Sequence, residues 1–388
     1  MCARAFSTGK LGDGVVKARI VVIGSGIAGA SIAAAVAPYA DVTLLESENA
    51  AGYHTTGRSA AMYLPSYGND VVRALTRASA SFLHSPPPEA EGHDLLRRRG
   101  LLTVADAAHE AALDAPAYSG HRWLSAEMAA MLVPALRREL IVGARYDPEA
   151  ADIDVDLLHQ SYLRMARTRG ARILFDCRVI GAERVADLWR IACSDGSGIE
   201  AEWVVNAAGA WGDQVAGLFG AHPVGLKPLR RTMLLVDPPE GMATAEWPFV
   251  MTVQESLYFR PEAGKLLISP ADETEDAPSD AQPEELDVAI GIDRFETLVD
   301  IPVRRISHSW AGLRTFAPDR APVIGADPVS PGFFWFVGQG GYGIQMAPAA
   351  AALGAALLFD LPIPGHLVAE GVEARAVGPA RFHAQAVL

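Results

Sequence analysis

The sequence predicts an α/β fold: a parallel-sheet, Rossmann-type nucleotide-binding domain interleaved with an antiparallel-sheet α+β domain. Three observations carry this reading. A β-branched run, Ala18 to Ile23, meets a glycine turn, Gly24 to Gly29, that feeds an Ala-rich helical stretch, Ala30 to Ala37, and a second strand, Asp41 to Glu46. The order strand, glycine turn, helix returns at Phe333 to Val337, Gly338 to Gly343 and Gln345 to Phe359. Between them, Lys227 to Ser269 alternates apolar and polar residues between turn signals, the pattern of antiparallel sheet.

The remaining elements follow in order. Gly52 to Gly68 is a loop rich in Gly, Ser, Thr and Tyr, and Asp70 to Leu83 has helical spacing that ends before Pro86, Pro87 and Pro88. Leu101 to Ala105 reads as a strand, and Ser125 to Leu132 as a short helix with Ser125 as its N-cap. Asp154 opens a helix through Leu157, Leu158, Tyr162, Leu163 and Met165, which Gly170 closes. Short strands surround Ile173, Val179, Leu188 and Val204. The acidic, Pro-containing stretch Asp272 to Asp287 reads as a solvated loop. Residues 18–90, 145–226 and 320–388 are assigned to the nucleotide-binding domain, 91–144 and 227–319 to the substrate domain, and 1–17 to an N-terminal tail.

Composition excludes several functions. A chain of 388 residues with a net charge of −13 is poorly suited to tracking nucleic-acid phosphates. Cys2, Cys177 and Cys193 are odd in number and widely spaced, so no disulfide framework, CxxC pair or metal site is written in the sequence, which suits a reducing cytoplasm. The longest apolar run, Ala347 to Phe359, is shorter than the ~20 residues a membrane span needs. The first 17 residues lack the apolar core of a secretory signal. A soluble, cytoplasmic protein is expected.

The strongest chemical signal is Gly24-Ser25-Gly26-Ile27-Ala28-Gly29 between strand and helix. Gly24 permits the tight turn, Gly26 lets the backbone approach a pyrophosphate, and Gly29 lets the helix pack closely on the strand. The diphosphate then meets unpaired N–H groups at the positive end of the helix. Glu46 ends the second strand 22 positions after Gly24, where a carboxylate accepts hydrogen bonds from ribose hydroxyls. Together these point to a dinucleotide, with FAD and NAD both open. Asn206-Ala207-Ala208-Gly209-Ala210-Trp211 and Gln339 to Gln345 each follow a strand and open a helix; taken alone, either is equally a tight-turn or capping glycine.

The opening GSGIAG, the NAAGAW segment and the late GQGGYGIQ together resemble the D-amino acid oxidase family of FAD oxidoreductases. Gly52 to Ala61 (GYHTTGRSAA), Tyr146-Asp147-Pro148 with Ala151 to Asp154, Arg230-Arg231, and Trp310 to Arg314 (WAGLR) are similar in particular to the D-arginine dehydrogenases of that family. The likeness is collinear from about residue 18 to 365. It implies a dissociable FAD contacted by Gly24, Gly26, Ile27, Ala28, Gly29, Glu46, Ser47, His54, Thr56, Arg58, Ser59, Ala60, Ala61, Val179, Ala208, Gly209, Trp211, Gly340, Gly341, Tyr342, Gly343, Ile344 and Gln345. Some relatives bond a histidine near His54 to the flavin, and others use a cysteine near Gly312, which this chain lacks. On the substrate side the resemblance implies a carboxylate clamp of Arg314 and Arg231, contacts from Tyr258 and from Tyr67 on a mobile loop, and the Gly341 carbonyl facing the substrate amine. Without the resemblance, a surface or structural ion pair is the simpler reading of both arginines.

The departures narrow the substrate. D-arginine dehydrogenases place a glutamate against the substrate guanidinium, whereas Leu95 to Ala105 holds no acid and aligns Leu101 there. Met62, Leu64 and Phe249 replace a His, a Thr and a Met of that pocket. A guanidinium buried among them would lack a partner, so an apolar side chain is expected. Arg97, Arg98 and Arg99 read as a solvated charge run, the alternative being that they reach a carboxylate side chain of the substrate, and His159 and His308 read as core or surface histidines. The expected activity is oxidation of an apolar D-amino acid, with oxygen or a quinone as acceptor. The alternatives are a 2-hydroxy acid dehydrogenase and a non-catalytic dinucleotide-binding protein.

Overall fold

Val21 and Val22 point to opposite faces of the strand Ala18–Ile23, and both are buried, so this strand has apolar layers on either side. In the computed structural model, which describes residues 17–114 and 120–383, it is central to a six-stranded sheet. The order is Val323–Ala326, Phe333–Val337, Trp203–Asn206, Ala18–Ile23, Ala40–Leu45, Arg172–Leu174. Neighbours are parallel except for the hairpin of the first two. Helices Ile27–Val36, Val155–Thr168 and Gly343–Leu358 pack together in the core on one face. On the other face, Gly212–Leu218 and an antiparallel sheet of Val179–Val185, Leu188–Cys193 and Gly198–Ala201 close a second core. No helix among the described residues is long and apolar enough to cross a membrane. The expected tail falls, apart from Lys17, outside the described residues.

Local chemistry sets the helix ends. The Asp154 carboxylate accepts from the Leu157 N–H at 2.9 Å, and the Ser125 hydroxyl from the Met128 N–H at 3.3 Å. The expected helix from Asp70 to Leu83 is instead two, Asp70–Ala78 and Ala80–His84, meeting at Ser79. The Ser79 hydroxyl donates to the Leu75 carbonyl at 2.8 Å and accepts from the Ala349 N–H at 3.1 Å, next to the proline inside the last long helix. A serine hydroxyl that bonds back to the preceding turn bends a helix.

The large sheet has nine strands, antiparallel except where Leu101–Ala105 lies parallel to Phe249–Thr252. Gly143–Asp147, which straddles the expected boundary at residue 145, belongs to this sheet. Its longest pair, Lys227–Val236 with Ile306–Phe316, sets Arg231 opposite Gly312 and Leu229 opposite Arg314. Side chains alternate with period 2, so Arg231 and Arg314 share one face as diagonal neighbours, and Arg230 points to the other.

Asp272 to Asp287 is largely an exposed, irregular segment, as expected, but Asp276, Glu284 and Asp287 also surround the buried Arg230 at 3.1–3.2 Å. The helix Glu285–Leu298 begins inside this segment. One charge reading needs correction: the Arg99 side chain is not solvated. It is buried, bonded to Asp152 and to the Trp247 carbonyl at 3.1 Å, while Arg260 binds the same carboxylate at 2.6 Å. Breaking a buried ion pair from one side strands a charge. Asp152→Ala should lower the unfolding free energy by ~3–5 kcal/mol, read from urea denaturation midpoints. A loss below ~1 kcal/mol would show that water or the carbonyls satisfy both guanidiniums.

Candidate active site

The carboxyl ends of the parallel strands open on a cavity of about 600 Å³. Backbone approach shapes its floor. At Gly24, with φ +97°, a Cβ would lie 2.6 Å from the Ala207 carbonyl oxygen, and at Gly29 it would lie 1.7 Å from that of Gly24. Only glycine permits this contact between helix and strand. At Gly26 a Cβ would meet only the Thr56 hydroxyl, at 3.1 Å, in the space beside the helix start. That hydroxyl accepts from the Ile27 N–H at 2.9 Å. Gly24, Gly26, Ile27, Ala28, Ala208, Gly209, Trp211, Gly340, Gly341, Gly343 and Ile344 all line the cavity, so three turns distant in sequence converge at one end of the sheet.

The loop after the second strand forms another wall with His54, Thr56, Arg58, Ser59, Ala60 and Ala61, and Val179 closes the far end. Glu46 and Ser47 also line the space, but the Glu46 carboxylate is engaged by protein. One oxygen accepts from the Ser25 N–H at 2.9 Å and its hydroxyl at 2.6 Å, and the other from the Glu48 N–H at 3.1 Å. It therefore braces the glycine turn. The guanidinium of Arg58 is likewise committed, to the Ala281 and Ala311 carbonyls at 2.9 Å and to Asp280. His159 is buried, with its Nε2 2.8 Å from the Ser25 carbonyl oxygen, and burial lowers its pKa, consistent with a neutral core histidine donating that bond.

Several buried polar atoms of cavity-lining residues have no hydrogen-bond partner: His54 Nδ1, Thr315 Oγ1, and both amide atoms of Gln339. Such atoms need a partner. A long cofactor with a diphosphate and polar ring edges, as FAD has, suits this set together with the glycine floor. Gln339 and Thr315 were not among the residues singled out from the sequence, although Gln339 sits inside the GQGG turn.

Where the cavity meets the antiparallel sheet, Arg314 lines it and packs against Gly341, where a Cβ would lie 2.9 Å from a guanidinium nitrogen. Its side chain makes no hydrogen bond or ion pair among the described residues. Arg231, also lining the cavity, is held by the Asp272 carbonyl at 2.8 Å and by Glu273 at 3.3 Å, over the Tyr258 ring. Burial acts to lower its pKa, but Tyr258, Tyr67 and Asp272 hold it above the ordinary value. Burial also acts to raise Glu273, which Arg320, Arg231 and Arg314 instead keep below the usual carboxylate range. The Tyr67 hydroxyl donates to Glu255 at 2.8 Å, and burial, then that carboxylate, pushes its pKa well up, so it stays protonated.

Met62, Leu64, Leu101, Phe249 and Tyr258 do not line the cavity; they pack behind it in one buried apolar cluster that Met233, a lining residue, joins to it. Phe249 stacks on Tyr258 with ring centroids 5.2 Å apart. Gln345 and the Tyr342 ring lie beside the cavity lining rather than in it. The Gln345 amide oxygen accepts from the Leu64 N–H at 2.9 Å, and its amide nitrogen is buried with no hydrogen-bond partner. The Tyr342 ring packs against Tyr67 and Phe316, while Gly343 and Ile344 line the cavity.

Comparison with known proteins agrees with this geometry. The FAD dependent oxidoreductase family, DAO, matches residues 19–357. Glycine oxidase of Bacillus licheniformis is 25% identical over 364 residues, covering 88% of this chain and 93% of that protein. D-amino acid dehydrogenase 3 of Mesorhizobium japonicum is 27% identical over 241 residues, covering 58% of this chain and 56% of its own length. The crystal structure of L-proline dehydrogenase from P. horikoshii shares the fold, with a TM-score of 0.78 at 20% identity, covering 95% of this chain and 98% of that one. With the family match spanning most of its length and a cavity shaped for a dinucleotide at the switch of its parallel sheet, this chain belongs to the DAO family of FAD-dependent oxidoreductases.

Proposed function

We propose that this protein binds FAD without a covalent bond and oxidises an apolar α-amino acid of D configuration to the imino acid. The observation that carries the reading is Arg314, a cation lining the cavity whose side chain makes no hydrogen bond or ion pair among the described residues and feels Glu273 only at longer range, beside an apolar cluster that holds no acid. A carboxylate is the anion that a planar guanidinium fork binds through two parallel hydrogen bonds. Names of relatives support amino-acid chemistry, glycine oxidase and D-amino acid dehydrogenase among them. The D configuration rests on resemblance.

When bound, FAD would supply a two-electron acceptor for the hydride leaving the substrate Cα. The chain's own part is orientation. Arg314 holds the carboxylate, and Arg231, tied back by Asp272 and Glu273, adds positive field without giving up its partners. The Gly341 backbone, lining the same space, offers a carbonyl to the amine. The helix Gly343–Leu358 turns its N-terminus to the cavity and so favours negative charge there.

Three outcomes test this. Acid precipitation should leave FAD in the supernatant; colour retained by the pellet would mean a covalent bond, with His54 the first residue to replace. Arg314→Ala should lower kcat/KM by ~2–5 kcal/mol, mostly through KM, and Arg314→Lys should recover only part of it. Near-normal kinetics would remove the carboxylate clamp. Anaerobic bleaching of the flavin should be at least ~100-fold more efficient with D-leucine, D-methionine or D-phenylalanine than with D-arginine, because Met233 and the cluster of Leu101, Leu64, Met62 and Phe249 behind it offer a cation no acid at that wall. Leu101→Glu should recover some D-arginine turnover. Bleaching by 2-hydroxy acids without ammonia release from amino acids would instead identify a hydroxy acid substrate.

A further inference from the structure

Cys177 and Cys193 are 16 residues apart in sequence, and the fold brings them together. Cys177 precedes the strand Val179–Val185, and Cys193 ends the neighbouring strand Leu188–Cys193, opposite Val179. Both are free and buried. The turn after Cys193 returns Asp195 to the same place, so that the two sulfurs and a carboxylate oxygen lie within 4.8 Å of one another. Asp195 is exposed, and one of its oxygens accepts from the Ser197 N–H at 2.9 Å and hydroxyl at 2.7 Å. The other oxygen has no partner among the described residues.

We propose that Cys177, Cys193 and Asp195 form a site for a thiophilic divalent cation, Zn²⁺ or Cd²⁺, with water in the fourth position. Two sulfurs and one oxygen are a donor set such ions take in tetrahedral geometry. At metal–sulfur distances of about 2.3 Å, neighbouring donors are ~3.5–3.8 Å apart, so donors within 4.8 Å must close by about 1.3 Å at most. Rotation of the exposed Asp195 side chain supplies much of that. Binding exchanges two S–H bonds for two metal–sulfur bonds and releases two protons to solvent; no electron moves and no oxidant is required. The position gives the ion a structural role. Cys177 lines the FAD cavity, and its N–H donates to the Glu46 carbonyl at 2.8 Å. A metal here ties the small antiparallel sheet to the strand end that braces the glycine turn. The site is independent of the substrate.

The test uses the FAD-loaded full chain carrying Cys2→Ser, which leaves Cys177 and Cys193 as its only cysteines. Titration with Cd²⁺ should give the ultraviolet thiolate-to-cadmium charge-transfer band, saturating at one ion per chain. Zn²⁺ competing against a chromophoric chelator should give the same stoichiometry. Replacing supporting groups around metal ligands costs ~10–100-fold in affinity, so a ligand itself should cost at least that. Asp195→Asn, at an exposed position that leaves folding intact, should weaken Zn²⁺ at least ~10-fold, and Cys193→Ser should abolish the cadmium band. Absence of the band in the Cys2→Ser protein, its persistence in Cys193→Ser, or unchanged Zn²⁺ affinity in Asp195→Asn overturns the assignment. So does a Cys177–Cys193 disulfide in the protein as isolated.

Discussion

The contact of Gly29 with the carbonyl of Gly24 is the constraint on which the rest of the site depends. With a would-be Cβ only 1.7 Å from that oxygen, the helix Ile27–Val36 can sit against the strand end only if residue 29 has no side chain. This closeness aims the first-turn N–H groups over the sheet edge. The Gly24 contact with Ala207 then draws in the turn after Trp203–Asn206, and the neighbouring strand Phe333–Val337 brings the third turn alongside. The cavity is the space these three turns leave at the strand ends.

Charge is distributed by the same economy of contacts. Arg230 is enclosed by three carboxylates, Arg99 and Arg260 share Asp152, Arg58 binds carbonyls and Asp280, and Arg320 pairs with Glu273. Each of these makes a structural tie. Arg231 is intermediate, half held by Glu273 yet lining the cavity. Arg314, on the same sheet face, makes no hydrogen bond or ion pair among the described residues, and a half-buried guanidinium in that state is costly unless something else binds it, which is what the proposed carboxylate clamp supplies.

Much of this was legible in the chain. The glycine fingerprint, the strand runs around it and the caps at Ser125 and Asp154 are local signals, since each depends on residues within a few positions of one another. The adjacency of Arg230 and Arg231 even implies opposite faces of a strand. Less legible were the break at Ser79, which needs an acceptor for Ala349 some 270 residues away, and the acidic segment 272–287, whose partners lie on another strand. The bond from the Leu64 N–H to the Gln345 amide oxygen was not legible either, because a residue at a helix start has two directions to point and only a segment distant in sequence selects one.

By itself, then, the sequence determined a glycine turn between strand and helix, two kinds of sheet and, through resemblance, the two arginines that line the cavity. Tertiary structure alone decided which cations are spent on the fold and that, among the described residues, Arg314 lines the cavity without a hydrogen bond or ion pair. It decided that Leu101, Met62, Leu64 and Phe249 form one apolar cluster, and that two cysteines and an aspartate meet. The physical reason is range. Turn chemistry and side-chain alternation act over a few residues, whereas charge pairing and burial are settled by whichever distant segments the strand register brings within a few ångströms.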